Sequence, residues 1–276
     1  MATALTIEPV PGEPLIRFDD VSIGFDEGEV LRGISFTVQQ RETKVIVGES
    51  GSGKTLLLKL AAGLMRPDEG RIIVMGHDLT EMREVDLLDF RRSIGFVFQE
   101  GALFDSISVS DNVAFRLSQE GIPPEETEAR VREALRFVEM EEAYEKFPPE
   151  LSGGMRRRVS IARALVSRPP IVYYDSPTGG LDPVTSQTII TLILRLRDSF
   201  GATSLMATHR LQDAFGLSSF EFDSTSGRVI PIWDDPERVR QSATNFLVLR
   251  EGKVYFEGEP PELLKSEDEY LRQFLS

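Results

Sequence analysis

The chain has 276 residues, enough for one large or two small domains, and 41% of them are hydrophobic while 28% are charged. It contains no cysteine, which excludes disulfides and thiolate metal sites and fits a reducing compartment. The start of the chain lacks a basic segment followed by a long apolar run, so we expect no signal peptide. No apolar stretch reaches the roughly 18 residues of a membrane span, so we expect any link to a membrane to go through a partner. The net charge of −14 argues against nucleic acid as the main partner, although solubility alone also accounts for it.

The first third of the chain predicts antiparallel strands, then a buried strand and a helix. LIRFDDVSIGF and ISFTV, within 15–47, alternate apolar and polar residues as half-buried strands do. TKVIVG (43–48) is typical of a buried strand, and TLLLKLAAGL (55–64) of a helix. RIIVMG follows the turn PDEG (67–70) and is assigned to a further strand pair.

The rest of the chain alternates predicted helices and strands. The segments assigned to helices are 126–140, 152–167 and 188–200, and those assigned to strands are 171–175 and 203–209. This alternation predicts an α/β fold with a mainly parallel sheet and an N-terminal antiparallel β subdomain. We divide the chain into an N-terminal extension (1–14) and one domain (15–276), which contains a helical subdomain at about 80–165.

A phosphate-binding motif lies between a predicted strand and a predicted helix. GESGSGKT matches G-x-x-x-x-G-K-[ST], whose loop amides cradle a triphosphate. The loop residues are Gly48, Glu49, Ser50, Gly51, Ser52 and Gly53. Lys54 is expected to reach the β- and γ-phosphates and Thr55 to bind Mg²⁺. Asp175 ends an apolar strand, as the carboxylate that holds Mg²⁺ in such sites does. The motifs therefore predict ATP and Mg²⁺ as cofactors of a P-loop NTPase.

A second motif, LSGG, opens a later predicted helix. Ser152 suits a helix N-cap, and Gly153 and Gly154 permit close approach to an anion. With this motif, the chain resembles the ATP-binding subunits of ABC transporters over nearly its whole length. The resemblance implies that the signature residues bind the γ-phosphate held by another subunit. Two copies of the chain, or one copy and a homologue, would then complete a site.

The same resemblance implies roles for four further residues. Phe25 would stack on adenine, although a core position is the alternative for this aromatic. Gln99 would contact Mg²⁺ or the attacking water and face the membrane partner. Asp182 would lie in the loop that crosses the dimer interface, and His209 would contact the γ-phosphate. The other histidine, His77, is expected in a surface turn.

Three segments narrow the resemblance to the ATPases of MCE-type (Mla-like) lipid transporters. They are FQEGALFDSISVSDNVAF (98–115), LSGGMRRR and GLDPVTS (180–186). This resemblance implies a phospholipid or other lipid as cargo, and a membrane permease and an MCE-type lipid-binding protein as partners. It places the chain at the cytoplasmic face of the inner membrane. The basic run 156–158 is interpreted as a solvated or packed helix face and not as a nucleic-acid site.

The residue after Asp175 departs from the family pattern. The family has glutamate there, and this chain has Ser176, whose hydroxyl is a very poor proton acceptor. Loss of a general base typically costs about 10²–10⁴-fold in rate, so slow hydrolysis is expected. A motor is one interpretation, and an ATP-gated clamp or regulator is the other. A DNA-clamp ATPase is set aside, because no long heptad array or cysteine separates Lys54 from Ser152.

An insertion at about 218–242 is the second departure. FEF and RVIPIW flank DSTSG, which predicts a small β-hairpin with Pro231 on an edge strand and Trp233 beside it. A surface decoration and a docking element for another subunit are both compatible with this pattern.

Overall fold

The computed structural model describes residues 12–26 and 28–275, so most of the predicted N-terminal extension (1–14) lies outside the described residues. The strands are β1 (Ile16–Phe25), β2 (Gly28–Val38), β3 (Thr43–Gly48), β4 (Glu69–Val74), β5 (His77–Asp78), β6 (Ile94–Val97), β7 (Ile171–Asp175), β8 (Thr203–Ala207), β9 (Phe220–Asp223), β10 (Arg228–Pro231), β11 (Thr244–Arg250) and β12 (Lys253–Gly258). The helices are α1 (Lys54–Ala61), α2 (Glu84–Arg92), α3 (Val109–Gln119), α4 (Pro124–Phe137), α5 (Gly153–Leu165), α6 (Pro183–Phe200), α7 (Leu211–Ser219), α8 (Pro236–Gln241), α9 (Pro260–Lys265) and α10 (Glu269–Leu275). No helix in these described ranges is both long and apolar enough to cross a membrane.

Two larger sheets organise the fold and confirm the predicted α/β class. An antiparallel sheet has the order β2-β1-β4-β5, and a six-stranded sheet has the order β12-β11-β3-β8-β7-β6. In the six-stranded sheet every pairing is parallel except that of β11 with β12. His77, expected in a surface turn, is partly exposed and belongs to the short strand β5.

The central strands are buried on both faces. β3, β7 and β8 contain buried residues throughout. Because side chains alternate along a strand, Val45 and Val47 join one apolar cluster while Ile46 joins the cluster on the opposite face. The first cluster also contains apolar residues of α3, α4 and α5, and the second contains those of the antiparallel sheet and α1.

The stretch at about 80–165, predicted as helical, also contains a strand. β6 pairs with β7 in parallel, with Ile94 opposite Ile171. The helical prediction was therefore wrong at 94–97, because four residues are too few to show a period. Pairing with a buried neighbouring strand, which the sequence does not display, decides their conformation.

The insertion forms the expected hairpin, and it packs on the domain. β9 and β10 pair antiparallel, with Pro231 opposite Phe220. The buried Arg197 of α6 donates from Nη2 to the carbonyl oxygen of Phe220 (2.9 Å), and the Phe222 amide donates to Asp198 Oδ2 (2.7 Å). α8, which was not predicted, follows the hairpin. Two charged side chains of α6 thus fix β9 to the domain.

The two residues that follow β10 differ in exposure, which allows the packing of the insertion to be tested. Ile232 is 0% exposed and Trp233 is 66% exposed. We expect Ile232→Ala to lower the free energy of unfolding by about 2–5 kcal/mol, since it leaves a cavity. Trp233→Ala is the control, with an expected change within about 0.5 kcal/mol. Equal losses in urea unfolding would contradict this account of the insertion.

Candidate functional site

The carboxyl ends of neighbouring parallel strands bring the predicted site segments to one edge of the sheet. β3 ends at Gly48, β8 at Ala207 and β7 at Asp175, and the three strands are adjacent. β6 lies beside β7 and ends at Val97, two residues before Gln99. Loops that follow such strands meet at the same edge, where open α/β sheets bind ligands. Segments from four separate motifs therefore share one location.

The loop after β3 requires glycine at two positions. Gly48 has a φ of 153°, and a Cβ atom there would lie 2.4 Å from the carbonyl oxygen of Leu249. Gly51 has a φ of 81°, and a Cβ atom there would meet no atom within 4 Å. The loop therefore curves beside open space into which its backbone can direct amide groups.

Lys54 places a cation at the centre of this loop. Its Nζ donates to the carbonyl oxygens of Gly48 (2.9 Å) and Glu49 (2.7 Å), and to Ser52 Oγ (3.4 Å). Burial lowers the pKa of Lys54, whereas the charges of Asp175 and Glu49 act to raise it. A phosphate in the loop would stabilise the ammonium, because it adds a negative charge to a site where the cation is poorly solvated.

The amino terminus of α1 adds a second attraction for an anion. Its N-cap residue, Gly53, has a φ of 96°, and no described side chain caps the helix. The first amides of a helix lack partners within it, and they lie at the positive end of its dipole. These amides are therefore available to phosphate oxygens.

Thr55 and Asp175 form a contact suited to a divalent cation. Thr55 Oγ1 donates to Asp175 Oδ1 at 2.9 Å. Burial raises the pKa of Asp175, while the hydrogen bond from Thr55 and the charges of Lys59, Lys54 and Arg157 lower it. No group of three or more histidine or acidic side chains among the described residues could hold a metal. A hydroxyl and one carboxylate fit Mg²⁺, which completes its octahedron with phosphate oxygens and water.

Ser176 is held rigidly beside this pair. It is buried and has a φ of 44°, an uncommon value for a residue with a side chain. Its amide donates to the carbonyl oxygen of Ala207 (2.8 Å), and its own carbonyl accepts from Gly179 (2.9 Å). A Cβ atom on Gly179 would lie 3.4 Å from Ser176 Cβ and 3.7 Å from Gln99 Cγ. The structure thus brings Ser176 and Gln99 to the same glycine.

Arg157 adopts the packed alternative that the sequence left open for the basic run 156–158. It is buried and donates to the carbonyl oxygens of Phe98 (2.8 Å) and Gly179 (3.3 Å). Burial lowers the pKa of Arg157, and the charges of Asp175 and Glu100 raise it. The signal in the sequence was the basic run after LSGG, but the run does not reveal which arginine points inward.

The signature residues pack against the start of α6. Ser152 is the N-cap of α5, and its Oγ accepts from the Met155 amide at 3.3 Å. A Cβ atom on Gly154 would lie 2.3 Å from Thr185 Cγ2, so this glycine permits close helix packing. Asp182 caps α6 through Oδ1, which accepts from Thr185 N at 3.0 Å. The side-chain hydrogen bond from Thr185 is the main cause of the lowered pKa of Asp182.

The signature and the phosphate loop are not joined within one chain. Among the described residues, no hydrogen bond links 152–154 to 48–55, and Ser152 is exposed. The structure therefore leaves the signature face accessible to another molecule.

Phe25 and His209 are both exposed. Phe25 ends β1 with 54% of its surface exposed, so the alternative of a core position is wrong. His209 follows Thr208, whose amide donates to the carbonyl oxygen of Ile46 at 3.0 Å. This bond fixes the start of the His209 loop to β3, the strand that leads into the phosphate loop.

Comparison with known proteins yields one family and several relatives. The family model described as "ABC transporter" matches residues 31–179. The methionine import ATP-binding protein MetN of Mesorhizobium japonicum is 35% identical over 83% of this chain and 64% of its own length. The Fe(3+) ions import ATP-binding protein FbpC of Escherichia coli is 34% identical over 84% of this chain and 65% of its own length. The chain thus spans just under two thirds of these relatives.

Solved structures share the fold over most of the chain. The dimeric ATP-binding cassette MJ0796 in a post-hydrolysis state, bound to ADP and Pi, superposes with a TM-score of 0.73 at 27% identity, covering 88% of this chain and 98% of that one. The cbiO1 protein of Clostridium perfringens, part of the transporter complex cbiONQ, gives a TM-score of 0.74 at 27% identity, covering 95% and 94%.

The opposite pKa shifts of Asp175 and Asp182 generate a paired prediction. A buried carboxyl with a raised pKa costs stability once ionised, and that cost is absent below the ordinary carboxyl pKa of about 4. We therefore expect Asp175→Asn to raise the melting temperature at neutral pH without nucleotide, and the gain to vanish in acid. Asp182, with its lowered pKa, gains stability by ionising. Asp182→Asn should lower the melting temperature at neutral pH, and this loss should also fade in acid.

Thermal unfolding between about pH 3 and pH 8 checks both signs, because the pKa of Asp182 is lowered below the ordinary carboxyl value of about 4 and its contribution fades only below that value. A destabilised Asp175→Asn protein at neutral pH would contradict the burial argument. Added Mg²⁺ and ATP should stabilise the parent and the Asp182→Asn protein more than the Asp175→Asn protein.

Proposed function

The chain belongs to the ABC transporter family, and we propose that it is the ATP-binding and ATP-hydrolysing motor subunit of a membrane transporter. The observation that carries the proposal is the Thr55–Asp175 hydrogen bond beside the buried Lys54 at the carboxyl edge of the sheet. This arrangement supplies a cation and an Mg²⁺-binding pair, next to a helix amino terminus.

In this proposal, different side chains of the site have different roles in phosphoryl transfer. Lys54 exchanges its carbonyl partners for phosphate oxygens, and the amides of the loop and α1 bind the remaining oxygens. Thr55 and Asp175 would hold Mg²⁺, which neutralises developing charge when it is bound. Gln99 and His209 lie on loops of the same edge, where they can orient water and the γ-phosphate. Phe25 presents its ring for stacking on the base.

Ser176 supports a second candidate, an ATP-gated clamp with little hydrolysis. Its hydroxyl cannot accept the proton of the attacking water at neutral pH as a carboxylate would. Positioning and charge stabilisation nevertheless carry most of phosphoryl transfer. We therefore favour a slow motor over an inert clamp.

Ser176→Glu tests the choice between motor and clamp. Restoring a carboxylate should raise phosphate release on the order of 10²-fold if only the base is missing. Ser176→Gln is the control, since it adds similar bulk to a buried site without a base. An unchanged rate for Ser176→Glu would show that chemistry is limited elsewhere, and a fast rate in the parent would remove the clamp.

A dimer completes the site in this proposal. The chain has one phosphate loop and one signature. Ser152 and Gly153 of the signature are exposed, and no hydrogen bond among the described residues joins the signature to the loop. The MJ0796 cassette is described as dimeric. Two copies would place Ser152 of each against the γ-phosphate held by the other, beneath the permease subunits.

Ser152→Arg should abolish ATP-dependent dimerisation, because it adds bulk and charge where the opposite γ-phosphate lies. Ser226→Arg makes the same charge change in the exposed turn of the insertion and should leave dimerisation intact. The measurement is light scattering with ATP in the Ser176→Gln background, where hydrolysis is minimal. A Ser152→Arg dimer that forms normally would contradict the composite site.

The proposal also names the class of molecule that the transporter carries. The segments 98–115 and 180–186 and the LSGGMRRR sequence support a lipid transporter with an MCE-type partner at the cytoplasmic face of the inner membrane. The relatives MetN and FbpC carry the names of importers of methionine and Fe(3+). Purification of the chain with its membrane partners decides between these. Copurified phospholipid and an MCE-type protein would support lipid transport, and a soluble solute-binding protein would overturn it.

A further inference from the structure

A buried carboxylate joins two loops of the site. Asp213, on the first turn of α7, is 3% exposed. Its Oδ2 accepts hydrogen bonds from the hydroxyl of Thr178 and from Thr208 Oγ1, the latter at 3.2 Å. Thr178 follows β7 in the segment 176–181, which we call the serine segment. Thr208 follows β8 in the segment 208–210, which we call the histidine segment.

Arg210 makes a second bond between the same segments. Its Nη1 donates to the carbonyl oxygen of Thr178 at 3.3 Å, while its amide donates to Thr208 Oγ1 at 3.0 Å within the histidine segment. Its Nε lies 3.8 Å from Asp213 Oδ1. The carboxylate thus has a cation on one oxygen and two hydroxyls on the other.

The burial of Asp213 makes separation of the serine segment from the histidine segment costly. A carboxylate removed from water is costly unless hydrogen bonds and opposite charge compensate it. If either segment moved alone, Asp213 would lose a hydroxyl and be left partly unpaired. The Ser176 amide, which donates to the carbonyl oxygen of Ala207, resists the same separation.

We propose that Asp213 is a positioning residue that makes the serine segment and the histidine segment move as one unit. Ser176 and His209 then keep a fixed separation when nucleotide binds. The consequence for hydrolysis rests on the proposed function, whereas the mechanical coupling does not. A purely local role, in which Asp213 only stabilises the first turn of α7, is the competing explanation.

Hydrogen exchange separates coupling from a local role. The Leu181 amide reports on the serine segment through its bond to the carbonyl oxygen of Thr178 (3.1 Å), and the Arg210 amide reports on the histidine segment. Thr178→Val removes one hydroxyl with little change of shape. We expect it to speed exchange at both amides on the order of tenfold, and to have no further effect at Arg210 once Asp213→Asn is present.

Asp198→Asn is the matched control. Asp198 also faces an arginine, Arg197, and accepts a backbone amide, from Phe222. Its removal should speed exchange at Phe222 and leave Leu181 and Arg210 unchanged. Faster exchange at Leu181 alone in the Thr178→Val protein would overturn the proposal, whatever the rate of hydrolysis.

A second experiment measures kcat and KM for phosphate release by the Asp213→Asn protein. Asp213→Asn should lower kcat for phosphate release about tenfold with little change in KM, since it leaves 48–55 untouched. A raised KM with unchanged kcat would overturn the positioning role. If the parent itself releases no phosphate, the proposed motor fails, while the exchange experiment still decides the coupling.

Discussion

Burial of β3, β8 and β7 on both faces is the constraint on which the rest of the structure depends. Strands covered on both sides are mostly apolar, so the polar groups of the site are supplied by the residues at and after their carboxyl ends. Their parallel order places those ends together, and Gly48, Asp175 and Ala207 are the three endpoints. The local sequence of the loop after each strand then determines which functional groups lie at this edge. The phosphate loop, the carboxylate and the histidine segment meet because their strands are adjacent and parallel, so that the carboxyl ends lie at one edge of the sheet.

Lys54 and Asp175, the two charged groups at the centre of this edge, are both destabilised in their ionised forms by removal from water. Burial lowers the pKa of Lys54 and raises the pKa of Asp175, so each group is disfavoured in its ionised form. An anion beside the lysine and a divalent cation beside the carboxylate would relieve both costs at once. The directions of these two pKa shifts are therefore consistent with the proposed binding of Mg²⁺ and a phosphate chain at this edge.

Sequence reasoning predicted the fold class correctly, because strands and helices with recognisable patterns alternate along the chain. It also paired Thr55 of GESGSGKT with Asp175 of IVYYD, and the two side chains are in contact. It failed for β6, whose four residues depend on pairing with β7, and for α8, which was not anticipated. It did not single out Arg157 within the basic run, and it missed the contacts of Asp213 with Thr178 and Thr208. Those contacts join segments far apart in the sequence, and no local pattern shows which polar side chain points inward.

The most direct test of the central claim is a titration of Mg²⁺ and ATP against Lys54→Ala. Lys146→Ala is its control, since Lys146 is exposed and lies outside the phosphate loop and α1. Calorimetry should show nearly complete loss of binding for Lys54→Ala and affinity close to the parent's for Lys146→Ala. Full-strength binding by the Lys54→Ala protein would contradict the assignment of the carboxyl edge as the nucleotide site.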